Sequence, residues 1–430
     1  MNTAAAGVAA AATTSEKRAT GYWPLLVTVI ALAALPHLPG LASDFGRSLL
    51  TQMAIAAVFA LSFNLLFGQT GLLSFGHAVY FGLGGYAAIH VMRDINHGLP
   101  LPVVLVPLAG AAGGLLAGIV FGSVTTKKAG TIFALISLGV GELVYAATFM
   151  LPSVFGGEEG ITASRTRAAV DFGLALGPQL HVYYVVVAWA VAAALLMRAF
   201  GQTPVGRMCS AVRDNPERVE FVGYSTRRIR FIAFAVAGLF AGLAGGLSAI
   251  NYEIVAADAV SAQRSGTVLI MAYIGGASHF IGPVLGAAAI TWLQSSLSGY
   301  TSAWLLYLGV FFIVMILYAP GGLAGVLLMH RGIVGTRAFA GVLAAYAVAA
   351  VPLALAGAGM VLAVEMSYRL ATQPELGTRM RLLWTQVDAA SPWPWIAAGV
   401  ALAGGGLLLR IACRRVAAAW ERATAEATRA

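Results

Sequence analysis

Long apolar stretches separated by short polar ones recur along the whole chain. A helix needs about 17 to 25 apolar residues to cross the hydrocarbon of a bilayer. The pattern predicts twelve segments: Trp23–Leu41, Ser48–Phe67, Leu72–Met92, Leu101–Gly122, Gly130–Leu151, Leu180–Phe200, Phe231–Ile250, Ser265–Gly275, Val284–Leu297, Trp304–Ala319, Ala338–Val364 and Pro392–Ala412. The eighth and ninth are short for a span, and the last two form a predicted hairpin. We therefore predict an all-α polytopic membrane protein.

The basic residues favour one side of this arrangement. If the N-terminus is cytoplasmic, 18 of the 26 Lys and Arg residues fall in cytoplasmic segments. Cytoplasmic loops of membrane proteins are enriched in these residues, so both termini are predicted inside. Residues 1–22 become a cytoplasmic tail, and no good cleavage site follows them, so we expect an uncleaved first span.

Composition agrees with a membrane protein in a lipid bilayer. The chain is 59% hydrophobic and 10% charged, whereas soluble domains carry about 25% charged residues. The net charge of +9 does not indicate nucleic-acid binding, because the basic residues lie in short loops beside spans. Cys209 and Cys413 match no metal spacing and no disulfide framework.

Several function classes lack the residues that they require. None of the three lysines is followed by Ser or Thr, so the phosphate loop GxxxxGK[ST] is absent. The motifs HExxH, CxxC and GxSxG are absent as well. We expect no enzyme activity, no metal and no cofactor in this chain. The few ionisable residues within the spans also count against a proton-relay transporter.

The one long charged interruption is residues 201–230, which we call the polar segment. It carries six arginines and three acidic residues between two predicted spans. A basic loop in that position belongs on the cytoplasmic side. Pro216 can open a short helix, and Gly223 can end it. We interpret the segment as a docking site for a soluble partner, the alternative being an ordinary solvated loop.

A second informative stretch, NLLFGQTGLLSFGHAVYFGLGGYAA, covers residues 64–88. Polar residues and glycines interrupt its apolar run, as expected for contact with a neighbouring helix or a solute pathway. The alternative is a tight turn and a packed helix with an internally bonded histidine. The candidate pathway residues here are Asn64, Gln69, Thr70, Ser74 and His77.

This stretch resembles the signature region of the LivM-type permease subunit of branched-chain amino acid ABC importers. Other stretches agree in the same order, namely TIFALISLGVGELVY at 131–145, FGGEEGI at 155–161, residues 213–245, GGASHFIGPVLG at 275–286 and APGGLAG at 319–325. The resemblance covers roughly residues 23–331 and implies an importer-permease helical bundle of about ten membrane segments.

The resemblance also implies a division of labour. A second, related permease would complete a heterodimer, two cytoplasmic ATPases would hydrolyse ATP, and an extracytoplasmic binding protein would deliver the solute across the bacterial inner membrane. The solute would be a branched-chain amino acid or a related small polar molecule. By the same resemblance the ATPase-coupling residues are Arg213, Asp214, Asn215, Glu217, Arg218 and Gly223.

Three acidic residues lie outside these two stretches. Glu142 is the one carboxylate well inside a predicted span, and an acid there is either functional or held by a structural hydrogen bond. Glu158 and Glu159 lie in a glycine-flanked outer loop. They either contact the binding protein or keep the loop solvated.

The chain departs from the family pattern after Arg331. Residues 332–430 form a predicted accessory hairpin with a basic tail. The sequence does not indicate what this hairpin does. Two other interpretations of the whole chain stay open at this point. One is a self-sufficient secondary transporter or channel, which needs paired intramembrane charges or broken helices. The other is a membrane scaffold for a cytoplasmic protein.

Overall fold

A computed structural model describes residues 23–167, 175–333, 339–372, 375, 377–382 and 385–429. The predicted tail, residues 1–22, lies outside them. The described helices are α1 Trp23–Ala34, α2 Asp44–Thr70, α3 Ala78–Asn96, α4 Val106–Thr125, α5 Gly130–Met150, α6 Pro152–Phe155, α7 Gln179–Gln202, α8 Pro204–Asp214, α9 Pro216–Phe221, α10 Thr226–Tyr252, α11 Ala262–Gly275, α12 Gly282–Ser298, α13 Trp304–Tyr318, α14 Gly322–Arg331, α15 Phe339–Thr372 and α16 Pro392–Arg429. Two short antiparallel ladders accompany them, β1 Ile161–Thr162 with β2 Ile254–Val255 and β3 Arg379–Leu382 with β4 Thr385–Asp388. The all-α prediction is confirmed.

Each of the twelve predicted segments contains a helix, but not each helix crosses a membrane by itself. Among the described residues, 7 helices are long and apolar enough, or 8 if α13 and α14 form one span bent by 48°. The 14 residues of α11 reach only about 21 Å, so its predicted shortness is confirmed. The described part of α1 has 12 residues and reaches about 18 Å.

The prediction of a helix from Leu72 is wrong at its start. Gly71 adopts a left-handed conformation with φ of 72° and ends α2, and α3 begins only at Ala78. Residues 71–77, which we call the unwound segment, carry no helix. The side chains of Leu72, Ser74 and His77 are nevertheless buried.

The bundle is built around α2 and α10, whose apolar stretches are each 72% buried. Glycines four residues apart form a stripe on α4 (Gly110, Gly114, Gly118) and another on α10 (Gly238, Gly242, Gly246), and the two stripes face each other. A methyl group on Gly114 would lie 2.6 Å from the Cα of Gly242, and one on Gly110 would lie 2.6 Å from the Gly242 carbonyl oxygen. The two backbones therefore touch without intervening side chains.

Replacing Gly242 with alanine is expected to destabilise the bundle. The added methyl group would lie 2.7 Å from the Gly114 Cα, so the helices have to separate, and overpacking of this kind costs about 1–3 kcal/mol. The measurement is thermal unfolding of the purified chain in detergent, where a fall of several degrees is expected. Gly357→Ala is the matched control, because a methyl group on Gly357 would have no atom within 4 Å; equal unfolding temperatures for the two variants would contradict the prediction.

The two ends of the bundle are distinguished by what caps them. At one end, the β1–β2 end, Arg165 donates hydrogen bonds to the carbonyl of Leu176 at 2.8 Å and to that of Asn251 at 3.0 Å, which holds the last turn of α10 to the loop before α7. Glu253 follows in a left-handed conformation with φ of 58°. The other end, the α8 end, is where Thr70 and the polar segment lie.

The hairpin α15–α16 packs mainly on itself, since only 11% and 17% of its apolar stretches are buried. It meets α13 through Glu365, which accepts hydrogen bonds from Thr301 at 2.7 Å and Tyr307 at 2.9 Å. The predicted span ends at residue 364, but α15 continues to Thr372, so Glu365 lies within the helix. The apolar pattern did not predict a helical position for this carboxylate.

Candidate functional site

The unwound segment is held inside the bundle by side chains from two other helices. The backbone amide of Phe75 donates to Ser137 Oγ of α5 at 3.0 Å, and the amide of Ala78 donates to Ser265 Oγ of α11 at 3.0 Å. Both serines are 1% exposed. Irregular backbone at membrane depth is tolerated only where protein groups satisfy it, and these two hydroxyls do so.

His77 closes the unwound segment in a fully buried position. Its Nε2 lies 2.9 Å from Ser62 Oγ of α2, and its ring stacks on Phe59 with 5.5 Å between centroids. Its Nδ1 is buried without a hydrogen-bond partner among the described residues. The expectation of an internally bonded histidine is therefore half met, because one ring nitrogen stays unpaired.

Other buried polar atoms near the unwound segment are unpaired as well. In the described part of the chain, Asn64 Oδ1, Gln69 Oε1 and Ser74 Oγ are buried and have no hydrogen-bond partner. Buried polar groups in native proteins are usually paired. Beside a broken helix, such unpaired groups are typical of a site where a bound solute or a second conformation of the protein supplies the missing hydrogen bonds. Five of the six candidate pathway residues thus lie on or beside the unwound segment.

Glu142 is the exception. It lies in α5 with its side chain exposed on the outer surface of the bundle. The neighbouring Gly141 packs against Gly76 of the unwound segment, since a methyl group on Gly141 would lie 3.4 Å from the Gly76 Cα. α5 therefore contacts the unwound segment through Gly141, while the Glu142 side chain is exposed on the outer surface.

The polar segment folds into two short helices, α8 and α9, through local capping. Thr203 accepts a 3.1 Å hydrogen bond from an amide in the first turn of α8, and Asn215 accepts one at 2.9 Å in the first turn of α9. Pro216 is the first residue of α9, and Gly223 follows it with φ of 89°. The predicted opening by Pro216 and ending by Gly223 are confirmed, and Asn215 has a structural role as a cap.

The α8 helix contacts the end of α2 directly. Arg213 Nη1 donates a hydrogen bond to the Gly68 carbonyl, and a methyl group on Gly71 would lie 3.0 Å from Arg213 Cγ. Gln69 reaches Gly201 at the end of α7, since a methyl group on that glycine would lie 3.5 Å from Gln69 Nε2. The polar segment and the unwound segment therefore form one contiguous site, which we call the coupling site.

Cys209 anchors α8 in this site by burial. Its side chain is 0% exposed. Burial raises the pKa of Cys209 to about 11, so the thiol stays protonated at neutral pH and acts as a packing group. In the same region the hydroxyl of Thr70, the last residue of α2, donates a hydrogen bond to the Leu65 carbonyl at 2.9 Å.

The outward surface of the coupling site combines charges with an apolar tip. Asp214, Glu217 and Arg218 are exposed, and Asp214 pairs with Arg213 at 3.1 Å. The tip comprises Phe221, Val222 and Tyr224, which are 89%, 70% and 49% exposed. Sequence reasoning missed the tip, although an apolar pair inside the most polar stretch of the chain was a usable signal.

Glu158 and Glu159 lie in an exposed turn at the β1–β2 end. The turn is made by glycines with positive φ, Gly156 and Gly157 before the acids and Gly160 after them. Within the described ranges, neither carboxylate forms an ion pair, and no three His, Cys, Asp or Glu side chains are grouped for a metal ion.

Known transport permeases are similar to this chain over most of its length. A family model described as "Branched-chain amino acid transport system / permease component" matches residues 47–319, a range that includes the whole coupling site. The permease LivM of Escherichia coli K12, from its high-affinity branched-chain amino acid transport system, is 26% identical over 64% of this chain and 68% of its own length. A ribose import permease, RbsC of Haemophilus influenzae, is 25% identical over 64% of this chain and 83% of its own length. A probable LivH permease of Methanocaldococcus jannaschii is 24% identical over 66% and 95%. No solved structure matches the chain.

Proposed function

Because this chain belongs to the family of branched-chain amino acid transport permease components, we propose that it carries branched-chain amino acids, or related small polar solutes, across a bacterial inner membrane within an ATP-driven importer. The observation that carries the proposal is the hydrogen bond from Arg213 to the Gly68 carbonyl. It joins an exposed, charged surface to a broken helix with unpaired polar groups. A displacement of the polar segment therefore acts on the unwound segment through a direct contact.

The partners bind at opposite ends of the bundle. Two ATPases dock at the α8 end, against the apolar tip and the charges beside it, and that end faces the cytoplasm together with both termini. An extracytoplasmic binding protein docks at the β1–β2 end, where Glu158 and Glu159 are exposed. ATP is hydrolysed on the ATPases, and this chain contributes the path and the coupling site.

A second, related permease covers α5 and completes a heterodimer. The outer face of α5 is apolar, with Leu135 and Leu143 68% and 64% exposed, and Glu142 lies in the middle of it. An ionised carboxylate facing hydrocarbon costs about 2.5–3.5 kcal/mol on insertion scales. Among the described residues, no atom lies within 4 Å of the space beside Gly139, one turn away, so a neighbouring helix can approach closely and offer a donor to the acid.

Glu142→Gln is expected to lower uptake about tenfold at equal membrane abundance. The amide keeps the shape but loses the charge, and a hydrogen bond to a charged group contributes about 1.5–3 kcal/mol. Uptake of radiolabelled leucine by cells, normalised to the amount of complex, is the measurement. Leu135→Gln on the same face is the control and should leave uptake within twofold, whereas unchanged uptake by the Glu142 variant removes the functional role of this acid.

The proposed function is tested in proteoliposomes. The chain is reconstituted with a second permease and two ATPases of such an importer, and the binding protein is supplied on the opposite side with labelled leucine. Uptake is expected only when ATP is present at the α8 side, and it should persist when ionophores collapse the ion gradients. Uptake by the chain alone, driven by an ion gradient, would establish a secondary transporter instead.

A further inference from the structure

A cavity of about 240 Å³ opens near the β1–β2 end of the bundle, away from the polar segment. It lies between α2, α3, α10, α11 and α12, toward the β1–β2 end. Its lining includes Ile55, Phe59, Asp258, Arg264, Val268 and Met271. Pockets for drug-sized ligands measure about 300–1,000 Å³, so this cavity suits a smaller solute.

One rim of the cavity carries both charges of an ion pair. Arg264 Nη2 lies 2.9 Å from Asp258 Oδ2, and the guanidinium lies over the Phe81 ring at 5.1 Å from its centroid. Among the described residues, Arg264 Nε has no hydrogen-bond partner and is buried. The Phe81 ring thus holds the ion pair on one side, while Arg264 Nε remains available as a hydrogen-bond donor among the described residues.

Buried apolar side chains also line the cavity, two from α2 and two from the α11 face that carries Arg264. Ile55, Phe59 and Met271 are 5% to 6% exposed, and Val268 is fully buried. The mouth is open by contrast, since the Asp258 side chain is 69% exposed. A solute entering from the β1–β2 end meets the two charges first and the buried apolar side chains behind them.

We propose that this cavity is a site for a small zwitterion with an apolar side chain, that is, an aliphatic amino acid. Its carboxylate pairs with Arg264, its ammonium with Asp258, and its side chain packs on Phe59 and Val268. The proposal rests on the proposed transport function and adds to it a recognition site in the permease itself. Because a cation and an anion of the protein both lie at the rim, a solute that carries both charges can pair with each of them, whereas an analogue with one charge pairs with only one.

The cavity is one aromatic ring away from the unwound segment. Phe59, which lines the cavity, stacks on His77 with 5.5 Å between ring centroids and lies tilted against Phe81 with 4.7 Å between centroids. A solute side chain against Phe59 therefore acts on the residue that closes the unwound segment. This contact supplies a direct route between occupancy of the cavity and the coupling site.

The test measures ligand binding to the full-length chain in lipid nanodiscs. The probes are L-leucine, 4-methylpentanoate, which lacks the ammonium, and isoamylamine, which lacks the carboxylate. We expect Arg264→Gln to weaken leucine binding about 10- to 100-fold and to leave the weaker binding of isoamylamine unchanged. Ala56→Phe, which adds a ring at the cavity wall, should abolish binding of all three. Arg47→Gln is the matched control, since Arg47 pairs with Asp44 at the same end but outside the cavity.

Each result bears on the proposal separately from the transport function. A wild-type chain that does not prefer leucine over its two analogues, or an Arg264 variant with unchanged leucine affinity, overturns the site even if ATP-driven uptake persists. An unchanged unfolding temperature of both cavity variants separates loss of binding from loss of fold. Absence of ATP-driven leucine uptake with leucine bound at Arg264 would reject the proposed function and keep the site.

Discussion

Replacing Phe221 with aspartate is expected to remove the ATPases from the purified complex while this chain stays folded in the membrane. The ring is 89% exposed and projects from the end of α9 beside Val222. Aromatic residues surrounded by polar groups are the usual anchors of protein interfaces, and truncating one costs about 2–4 kcal/mol. A buried carboxylate in its place adds a desolvation penalty. The ATPase affinity should therefore fall at least about 100-fold.

The measurement is the amount of ATPase that co-purifies with a tag on this chain. Tyr300→Asp is the matched control, because Tyr300 is also 89% exposed and lies beyond the end of α12, away from the polar segment. That variant should retain the ATPases in full. If the Phe221 variant also retains them, the apolar tip is not the docking surface and the proposed position of the ATPases is wrong.

The sequence predicted the helices better than the places where they break. Each apolar run became a helix, because burial of apolar surface and internal hydrogen bonding in lipid are properties of the run itself. The unwound segment was not predictable in this way, since Leu72, Leu73 and Phe75 are as apolar as the helices beside them. Its conformation depends on Ser137 and Ser265, which lie far away in the sequence.

The coupling site was predictable where its chemistry is local. Pro216 and Gly223 act on their own backbone, so their spacing was sufficient to predict α9, whereas the capping role of Asn215 emerged only from the structure. The contact of Arg213 with Gly68 joins residues 145 positions apart, and no pattern within either stretch reveals it. For the same reason the sequence does not reveal that Arg264 meets Asp258 at the rim of a cavity.

Replacing Arg213 with glutamine is expected to leave the ATPases bound and active but to reduce transport for each ATP hydrolysed about tenfold or more. The Arg213 guanidinium is the group that hydrogen-bonds to the Gly68 carbonyl, and a charged hydrogen bond contributes about 1.5–3 kcal/mol. Without this hydrogen bond, movement of α8 no longer changes the conformation of the unwound segment. Two sites are coupled only through contacts that differ between their two states. The apolar tip is unchanged, so docking should persist.

Arg218→Gln separates this effect from a general loss of positive charge. Arg218 is exposed on α9, and its guanidinium makes no hydrogen bond or ion pair within the described residues. Its loss should weaken ATPase binding modestly and in a salt-dependent manner, with transport per ATP unchanged. Proteoliposomes in which leucine uptake and phosphate release are recorded together give the ratio directly. An Arg213 variant with the native ratio would show that the force reaches the unwound segment by another route, since no other side chain of α8 donates a hydrogen bond to the Gly68 carbonyl in the described structure.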